Sequence, residues 1–162
     1  MIEWCERAEE VSSLLNPAFL AHLIYSGVSS TESVSLDGGE FIMPFLAIPL
    51  VLSPKISGSI PDKTILSFQK WTLEKLPLND VLGDFSDYAS ALTPYIKESL
   101  IFGIQNDMLF INDSGKLGTI YSKKLHSPQY NKKYHKKMCT CGIWFSNDET
   151  ISFAMNYLKV KP

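Results

Sequence analysis

A lysine-rich segment between residues 123 and 137 carries the strongest local charge in the sequence. Its basic side chains are Lys123, Lys124, Lys132, Lys133, Lys136 and Lys137, and it contains no Asp or Glu. These are 6 of the 15 Lys and Arg residues in a chain of net charge −2. Tyr130 and Tyr134 add aromatic faces of the kind that contact nucleic acids. The segment therefore predicts contact with DNA or with an acidic partner, and a solvated face has the same pattern.

Four side chains that can bind metal ions lie in or beside this segment: His126, His135, Cys139 and Cys141. Their spacing is unlike that of structural zinc sites, because the two cysteines are too close together and the two histidines are too far apart. Cys141 also falls on an apolar stripe with Met138 and Phe145, where cysteine behaves as a small hydrophobic residue. We predict that the chain binds neither a metal ion nor a cofactor.

No group of residues has the spacing of an active site. His22 stands alone in the first predicted helix, and the sequence has neither a nucleophile elbow nor a His-Glu-x-x-His motif. The glycines of Gly38-Gly39 and Gly115-x-x-Gly118 lack the lysine and the hydroxyl residue that complete a phosphate-binding loop. These observations predict a protein that is not an enzyme.

The C-terminal residues 141–162 form a patterned tail. Its large apolar residues are Trp144, Phe145, Ile151, Met155 and Leu158, and the last three share one face of a predicted helix. Ser146 and Glu149 have the spacing of a capping box at the start of that helix. A tail of this kind docks either in the core of its own domain or on a partner, and in the second case these five apolar residues are the predicted contacts.

The N-terminal part of the chain predicts a helix, a loop and a buried segment. Asn16-Pro17 opens the helix, and Gly27 is its predicted end. Residues 29–40 are polar and rich in turn formers, so they predict a loop. The apolar run 41–52 has 12 residues and two prolines, whereas a membrane-spanning helix needs about 20 apolar residues. We predict that this run lies in the core.

Two helices and a hairpin are predicted in the middle of the chain. The first helix starts at Asp62 and carries Ile65, Phe68, Thr72 and Leu76 on one face, with Trp71 at its border. The second helix starts at Asn79 or Asp80, and Pro94 kinks or divides it. Residues 108–111 and 117–121 predict two strands joined by a turn at 113–115.

A further helix, from Tyr130 to Phe145, precedes the terminal one. The predicted fold is therefore mainly α within an α+β class: a helical domain with one β-hairpin. Its order of helix, helix and hairpin is the order of a winged-helix unit.

The length of 162 residues predicts a single domain. Its N-terminal part (1–56) would hold the first helix, the loop and the apolar run, and the remainder (57–162) the other helices and the hairpin. Three cysteines without framework spacing predict no disulfides. The acidic N-terminus has no signal-peptide pattern. These features predict a cytoplasmic protein that does not enter a membrane.

Several short motifs, in their order, resemble the middle component of bacterial three-component ABC-ATPase conflict systems, the group that includes the Lamassu defence operons. They are Asn16-Pro17-Ala18, the proline-interrupted run 43–52, Ile60-Pro61, Trp71, Gly142-Ile143-Trp144-Phe145, Thr150-Ile151 and the closing residues 158–162. Two positions depart from the family pattern. Ile143 stands where the family commonly has arginine, and Lys159 where it commonly has glycine.

The resemblance implies a non-enzymatic adaptor that joins an SMC-like or Rad50-like ATPase to a subunit carrying an effector, often a nuclease, in defence against phage or plasmids. DNA would be contacted through the complex. The alternative is a dimeric winged-helix transcriptional regulator that binds DNA on its own. The presence of a single arginine, Arg7, counts against that alternative, because arginine makes the commonest base-specific contact.

Overall fold

The computed structural model describes residues 14–76, 83–120 and 132–161. Within these ranges the helices are α1 (Pro17–Glu32), α2 (Met43–Leu52), α3 (Phe68–Lys75), α4 (Phe85–Gln105), α5 (Lys132–Trp144) and α6 (Asp148–Leu158). Strands β1 (Leu109–Ile111) and β2 (Leu117–Thr119) pair as an antiparallel hairpin. The predicted class, a mainly helical domain with a β-hairpin, is confirmed. Across the described ranges, no helix has the length and apolar character that crossing a bilayer requires.

Helix α1 begins at the predicted residue. The Asn16 side chain accepts a hydrogen bond from the Ala18 N–H at 2.8 Å, and Pro17 occupies the first turn. The first N–H groups of a helix have no partner inside it. The Asn16 side chain gives one of them a partner, and Pro17 has no N–H group. Leu20 and Ile24 are fully buried, so the predicted apolar stripe faces the core.

Gly27 does not end α1, which was predicted to stop there. The helix continues to Glu32 and includes the first residues of the predicted 29–40 loop. Val28 and Thr31 are buried on this last turn, and their packing outweighs the weak helix propensity of the sequence. The small side chain of Gly27 serves a close helix contact, described below.

The apolar run forms α2 and lies in the core, as predicted. Pro44 occupies its first turn, where a proline removes no helical hydrogen bond. Pro49 lies inside the helix, and Ser53 N–H still bonds the Pro49 carbonyl at 3.0 Å at the C-terminal end. The helix is buried on nearly all sides, which is the expected environment for a helix without a polar face.

Helix α3 starts six residues later than predicted, at Phe68 and not at Asp62. Ser67 has an extended backbone, and its hydroxyl accepts a hydrogen bond from the Lys70 N–H at 3.3 Å. Ser67 is therefore the N-cap. Ile65, which was assigned to the buried face, lies before the helix and is 81% exposed.

Helix α4 continues through Pro94, so the predicted division there is wrong, whereas the alternative, a kink, stays a prediction. Pro94 is exposed, whereas Leu92 and Ile96 beside it are buried in the core. Proline costs the helix one backbone hydrogen bond, and the packing of these neighbours maintains the helix. The predicted caps at residues 79 and 80 lie outside the described residues.

The turn of the hairpin forms at the predicted residues. Asn112 Oδ1 accepts hydrogen bonds from the N–H groups of Ser114 (3.0 Å) and Lys116 (2.9 Å). Gly115 has a φ of 78°, a left-handed conformation that favours glycine. The Asx-type bonding and the glycine together fix this turn.

The hairpin packs against the end of α1. A two-stranded unit needs such packing because it is only marginally stable alone. The Glu32 carboxylate accepts hydrogen bonds from the Thr119 N–H at 2.9 Å and from the Thr119 hydroxyl. On the outer side of β2, Gly39 forms an antiparallel bridge with Leu117. The residues that follow α1 are thus tied to the hairpin.

Helices α1 and α5 cross with their backbones in contact. A Cβ atom placed on Gly142 would lie 2.1 Å from the Gly27 carbonyl oxygen, so no larger residue fits at Gly142. The Thr31 hydroxyl lies 2.8 Å from the Gly142 carbonyl oxygen and 3.1 Å from that of Gly27. This hydroxyl links the two helices at the crossing.

The cap of α6 lies one residue beyond the predicted one. Asn147 Oδ1 accepts a hydrogen bond from the Thr150 N–H at 2.8 Å, so Asn147 is the N-cap and not Ser146. Serine and asparagine can both cap a helix. The capping-box spacing from Ser146 to Glu149 led to the wrong choice. At the other end, Lys159 adopts a left-handed conformation, and its carbonyl accepts a hydrogen bond from the Ser86 hydroxyl at 3.0 Å.

One hydrophobic core receives residues from every helix and strand named above. Helix α1 packs against α4 and against α5, and α2 touches both of these helices as well. Residues on both sides of the predicted subdivision at residue 56 share this core. The hairpin follows α4 in the order of a winged-helix unit, and the winged-helix assignment itself stays a prediction.

Candidate partner-binding surface

The aromatic residues of the tail lie in the chain's own core. Phe68 is at the centre of this cluster: its ring centroid lies 5.5 Å from Trp144, 5.1 Å from Phe145 and 6.1 Å from Phe153. The Trp144 indole N–H donates to the Leu66 carbonyl oxygen at 2.7 Å. Burial with a satisfied N–H is the usual state of a structural tryptophan.

The rest of the apolar tail has a similar environment. Ile151 and Leu158 are buried, and Met155 is partly buried against the core. Intramolecular packing thus accounts for the predicted partner-binding residues Trp144, Phe145, Ile151, Met155 and Leu158. Their contact with a partner stays a prediction, and in the described structure Met155 is the most accessible of them.

The lysine segment is divided between surface and interior. Lys132, Lys133 and Lys136 are exposed in the first turns of α5. The Lys136 ammonium lies 3.9 Å from an Asp62 carboxylate oxygen, and both side chains are more than half exposed, so this pair contributes little to stability. Lys123 and Lys124, together with His126 and Tyr130, lie outside the described residues.

Lys137 is buried and forms hydrogen bonds inside the protein. Its side chain is 4% exposed, and its ammonium donates hydrogen bonds to the Ser57 carbonyl oxygen and, at 3.3 Å, to the Ser57 hydroxyl. Burial lowers the pKa of Lys137, and the like charge of Lys133 lowers it further. Lys137 therefore links α5 to the turn at Ser57–Ser59. Among the described lysines of this segment, the exposed ones are Lys132, Lys133 and Lys136.

The two described histidines meet between α1 and α5. Their rings pack edge to face at a centroid distance of 4.7 Å, and His135 Nδ1 lies 2.6 Å from Ser26 Oγ. Burial lowers the pKa of His135 to about 4, with a smaller effect from the charge of His22, and burial also lowers the pKa of His22. The neutral forms are thus favoured at this helix contact.

This histidine contact does not have the geometry of a nucleophilic site. Ser26 Oγ also lies 3.0 Å from the His22 carbonyl oxygen, to which it donates. When the hydroxyl hydrogen is used in that way, His135 Nδ1 is the donor to Ser26 and is not the base that would activate it. The hydrogen bonds of the described residues add no carboxylate to orient His135.

The cysteines do not come together as metal ligands. Cys141 is fully buried, which raises the pKa of its thiol, while Cys139 lies 3.8 Å from the Ser26 carbonyl oxygen. Two residues apart on a helix, their side chains point in different directions. In the part of the chain that the structure describes, no three His, Cys, Asp or Glu side chains are grouped to hold a metal ion.

A groove of about 480 Å³ lies between α2, α4 and the C-terminal segment. Residues from all three line it: Phe41 and Phe45, then Thr93 and Lys97, then Val160 and Lys161. The rings of Phe41 and Phe45 are 6.2 Å apart, and Phe41 is 43% exposed. The groove is therefore lined both by aromatic side chains and by lysines.

The apolar surface continues beyond the groove along α4. Ile101 and Ile104 are 57% and 38% exposed, and at 100° per residue they follow Thr93 and Lys97 on one side of the helix. Ile101 and Ile104 were not among the residues predicted to contact a partner. The available signal was a pair of isoleucines three residues apart near the C-terminal end of the helix.

The sequence matches the model of a known protein family. The family model described as ABC-three component (ABC-3C) system Middle Component 3 matches residues 4–162, nearly the whole chain. A search of curated proteins and a search of solved structures each found no match. The match confirms the resemblance to a middle component of three-component ABC-ATPase systems. The chain therefore belongs to the Middle Component 3 family of ABC-three component systems.

Proposed function

We propose that this protein is a non-enzymatic adaptor that joins an SMC-like or Rad50-like ATPase to an effector-bearing subunit, often a nuclease. The observation that carries the proposal is the family match over residues 4–162, since the family is defined by its place in a multi-component ABC system. The group of systems that the tail motifs resemble includes the Lamassu defence operons. Defence against phage or plasmids is therefore the proposed biological role.

The arrangement of the helices supports an adaptor with two working surfaces. The exposed lysines lie on α5, the apolar groove borders α4, and α1 packs against both helices. Two partners could bind at once, because the surfaces belong to different helices. We propose that the lysines contact DNA held by the ATPase or an acidic surface of the ATPase.

Co-purification tests this proposal. The chain would be expressed with the ATPase and the third subunit encoded beside it, with an affinity tag on the ATPase, and the complex would be washed at moderate salt. We expect all three proteins to elute together, and the third subunit to be lost when the middle component is left out. An ATPase and effector that associate equally well without this chain would refute the adaptor role.

A further inference from the structure

We propose that the groove between α2 and α4, extended along α4 by Ile101 and Ile104, binds an acidic amphipathic helix from the effector-bearing subunit. This inference rests on the adaptor function proposed above and specifies one of its contacts. Apolar side chains of the incoming helix would cover the phenylalanines and isoleucines, and its carboxylates would pair with Lys97 and Lys161, which also line the groove.

The apolar part of the surface is available for a partner. Phe41, Ile101 and Ile104 keep 43%, 57% and 38% of their surface exposed, although the core of the chain is well filled without them. Aromatic and aliphatic side chains in a concave site are typical anchors of protein interfaces. Covering them would add the stabilisation that apolar burial provides.

The dimensions of the surface suit a helix. Ser90, which lines the groove, and Ile104 are 14 residues apart on α4, a distance of about 21 Å along a helix. A partner helix of three to four turns, with apolar residues at positions i, i+3, i+4 and i+7, would cover this length. The groove alone covers about half of this length. A partner helix of the full length would therefore cover the exposed isoleucines as well.

The charges of the surface indicate an acidic ligand. The ion pairs found among the described residues are Lys70–Glu74, Lys116–Glu40 and Lys136–Asp62, and they include neither Lys97 nor Lys161. Within the described residues, neither ammonium group therefore has an ion-pair partner, and both lysines line a largely apolar site. A second copy of the chain is a poorer ligand, because a two-fold contact through this face would bring together two identical surfaces that both carry lysines.

Paired variants test the proposal. In the complex from the co-purification experiment, Lys97→Glu with Ile101→Ser should weaken binding of the effector-bearing subunit about tenfold or more. The same variant should keep its ATPase binding and its melting temperature, because both side chains are exposed. The matched control is Lys75→Glu with Leu73→Ser on α3, where an exposed lysine and an exposed leucine lie outside the groove. This control should bind both subunits like the wild type.

A photo-crosslinking residue at position 101 gives a positive readout that does not depend on lost binding. We expect a crosslink to an acidic helix of the effector-bearing subunit, and none from the same residue at position 73. A crosslink to the ATPase, to DNA or to a second copy would overturn the proposal, as would full binding by the Lys97→Glu, Ile101→Ser variant. In those cases the wild-type chain still joins both subunits and the adaptor function stands, whereas a wild type that binds neither subunit refutes both.

Discussion

Lys159 ends α6 in the left-handed region of conformational space, with φ of 55° and ψ of 30°. A side chain with a Cβ atom is strained there, by about 1–2 kcal/mol, whereas glycine is not. The family resemblance places glycine at this position. The structure gives the reason: the chain must turn after Leu158 so that Val160 reaches the core.

Replacing Lys159 with glycine should therefore stabilise the protein. We expect Lys159→Gly to raise the free energy of unfolding by about 0.5–1 kcal/mol, because part of the relieved strain is offset by the greater freedom of glycine in the unfolded chain. Urea unfolding of the two proteins measures the difference. Lys161→Gly is the control, since no positive φ occurs there, and it should bring no gain. A loss of stability in Lys159→Gly would contradict the assigned strain.

Single residues explain most differences between prediction and structure. Ser67 and Asn147 are the caps that sequence analysis missed, and each lies near another residue able to cap. Lys137 belongs by sequence to a positive surface, but its contact with Ser57 joins residues 80 positions apart. Local spacing cannot reveal such a contact, because it depends on how distant segments pack.

At the scale of the elements, the crossing of α1 and α5 depends on glycine. Backbone lies against backbone at Gly142, whereas the nearest atom to a Cβ on Gly27 would be the end of the Met138 side chain at 3.0 Å. The neighbour of Gly142 is rigid backbone, whereas the neighbour of Gly27 is a flexible side chain. The two glycines should therefore differ in how they tolerate substitution.

We expect a graded series of alanine variants. Gly142→Ala should lower the free energy of unfolding by about 2–4 kcal/mol, because the helices must separate to admit the methyl group. Gly27→Ala should cost about 1 kcal/mol, since Met138 can move aside. Gly58→Ala, with open space around its Cβ position, should change stability by less than about 0.5 kcal/mol. Chemical denaturation would rank the three, and equal destabilisation at Gly142 and Gly58 would contradict the close crossing.

The helices and the hairpin were largely predictable because their patterns are local. Asn16-Pro17, the apolar run of α2 and the Asn112–Gly115 turn each act within a few residues. The extent of α1 beyond Gly27 was not predictable in this way, because the partner that needs a small residue there is on α5. The groove also joins three distant segments, so only the fold brings it together.

At the scale of the whole molecule, the exposed lysines of α5 give an overall acidic protein a local positive end. Such a surface would contribute a salt-sensitive contact and little sequence preference. A self-standing regulator would instead bind one sequence tightly, and arginine, the commonest reader of guanine, occurs once in the chain.

Charge reversal tests whether the exposed lysines of α5 contact the DNA-loaded ATPase. We expect Lys132→Glu, Lys133→Glu and Lys136→Glu together to weaken association with the DNA-loaded ATPase at low salt, and to flatten its salt dependence by about 0.9 for each duplex phosphate that is no longer neutralised. The control reverses three other exposed lysines, Lys55, Lys63 and Lys75, so the net charge is the same. A binding titration across salt concentrations measures both variants. Equal weakening by the two variants would show that net charge matters and the α5 surface does not.

The contact of backbones at Gly27 and Gly142 also has a mechanical consequence. At Gly142 the backbone of α5 lies directly against the backbone of α1, and the Thr31 hydroxyl lies within hydrogen-bond distance of the carbonyl oxygens of both glycines. A small separation of the two helices would leave a gap in a close-packed region, which is unfavourable. We therefore expect the crossing to stay closed. We therefore expect α1 and α5 to move together as one rigid unit when a partner bound at the lysines displaces α5.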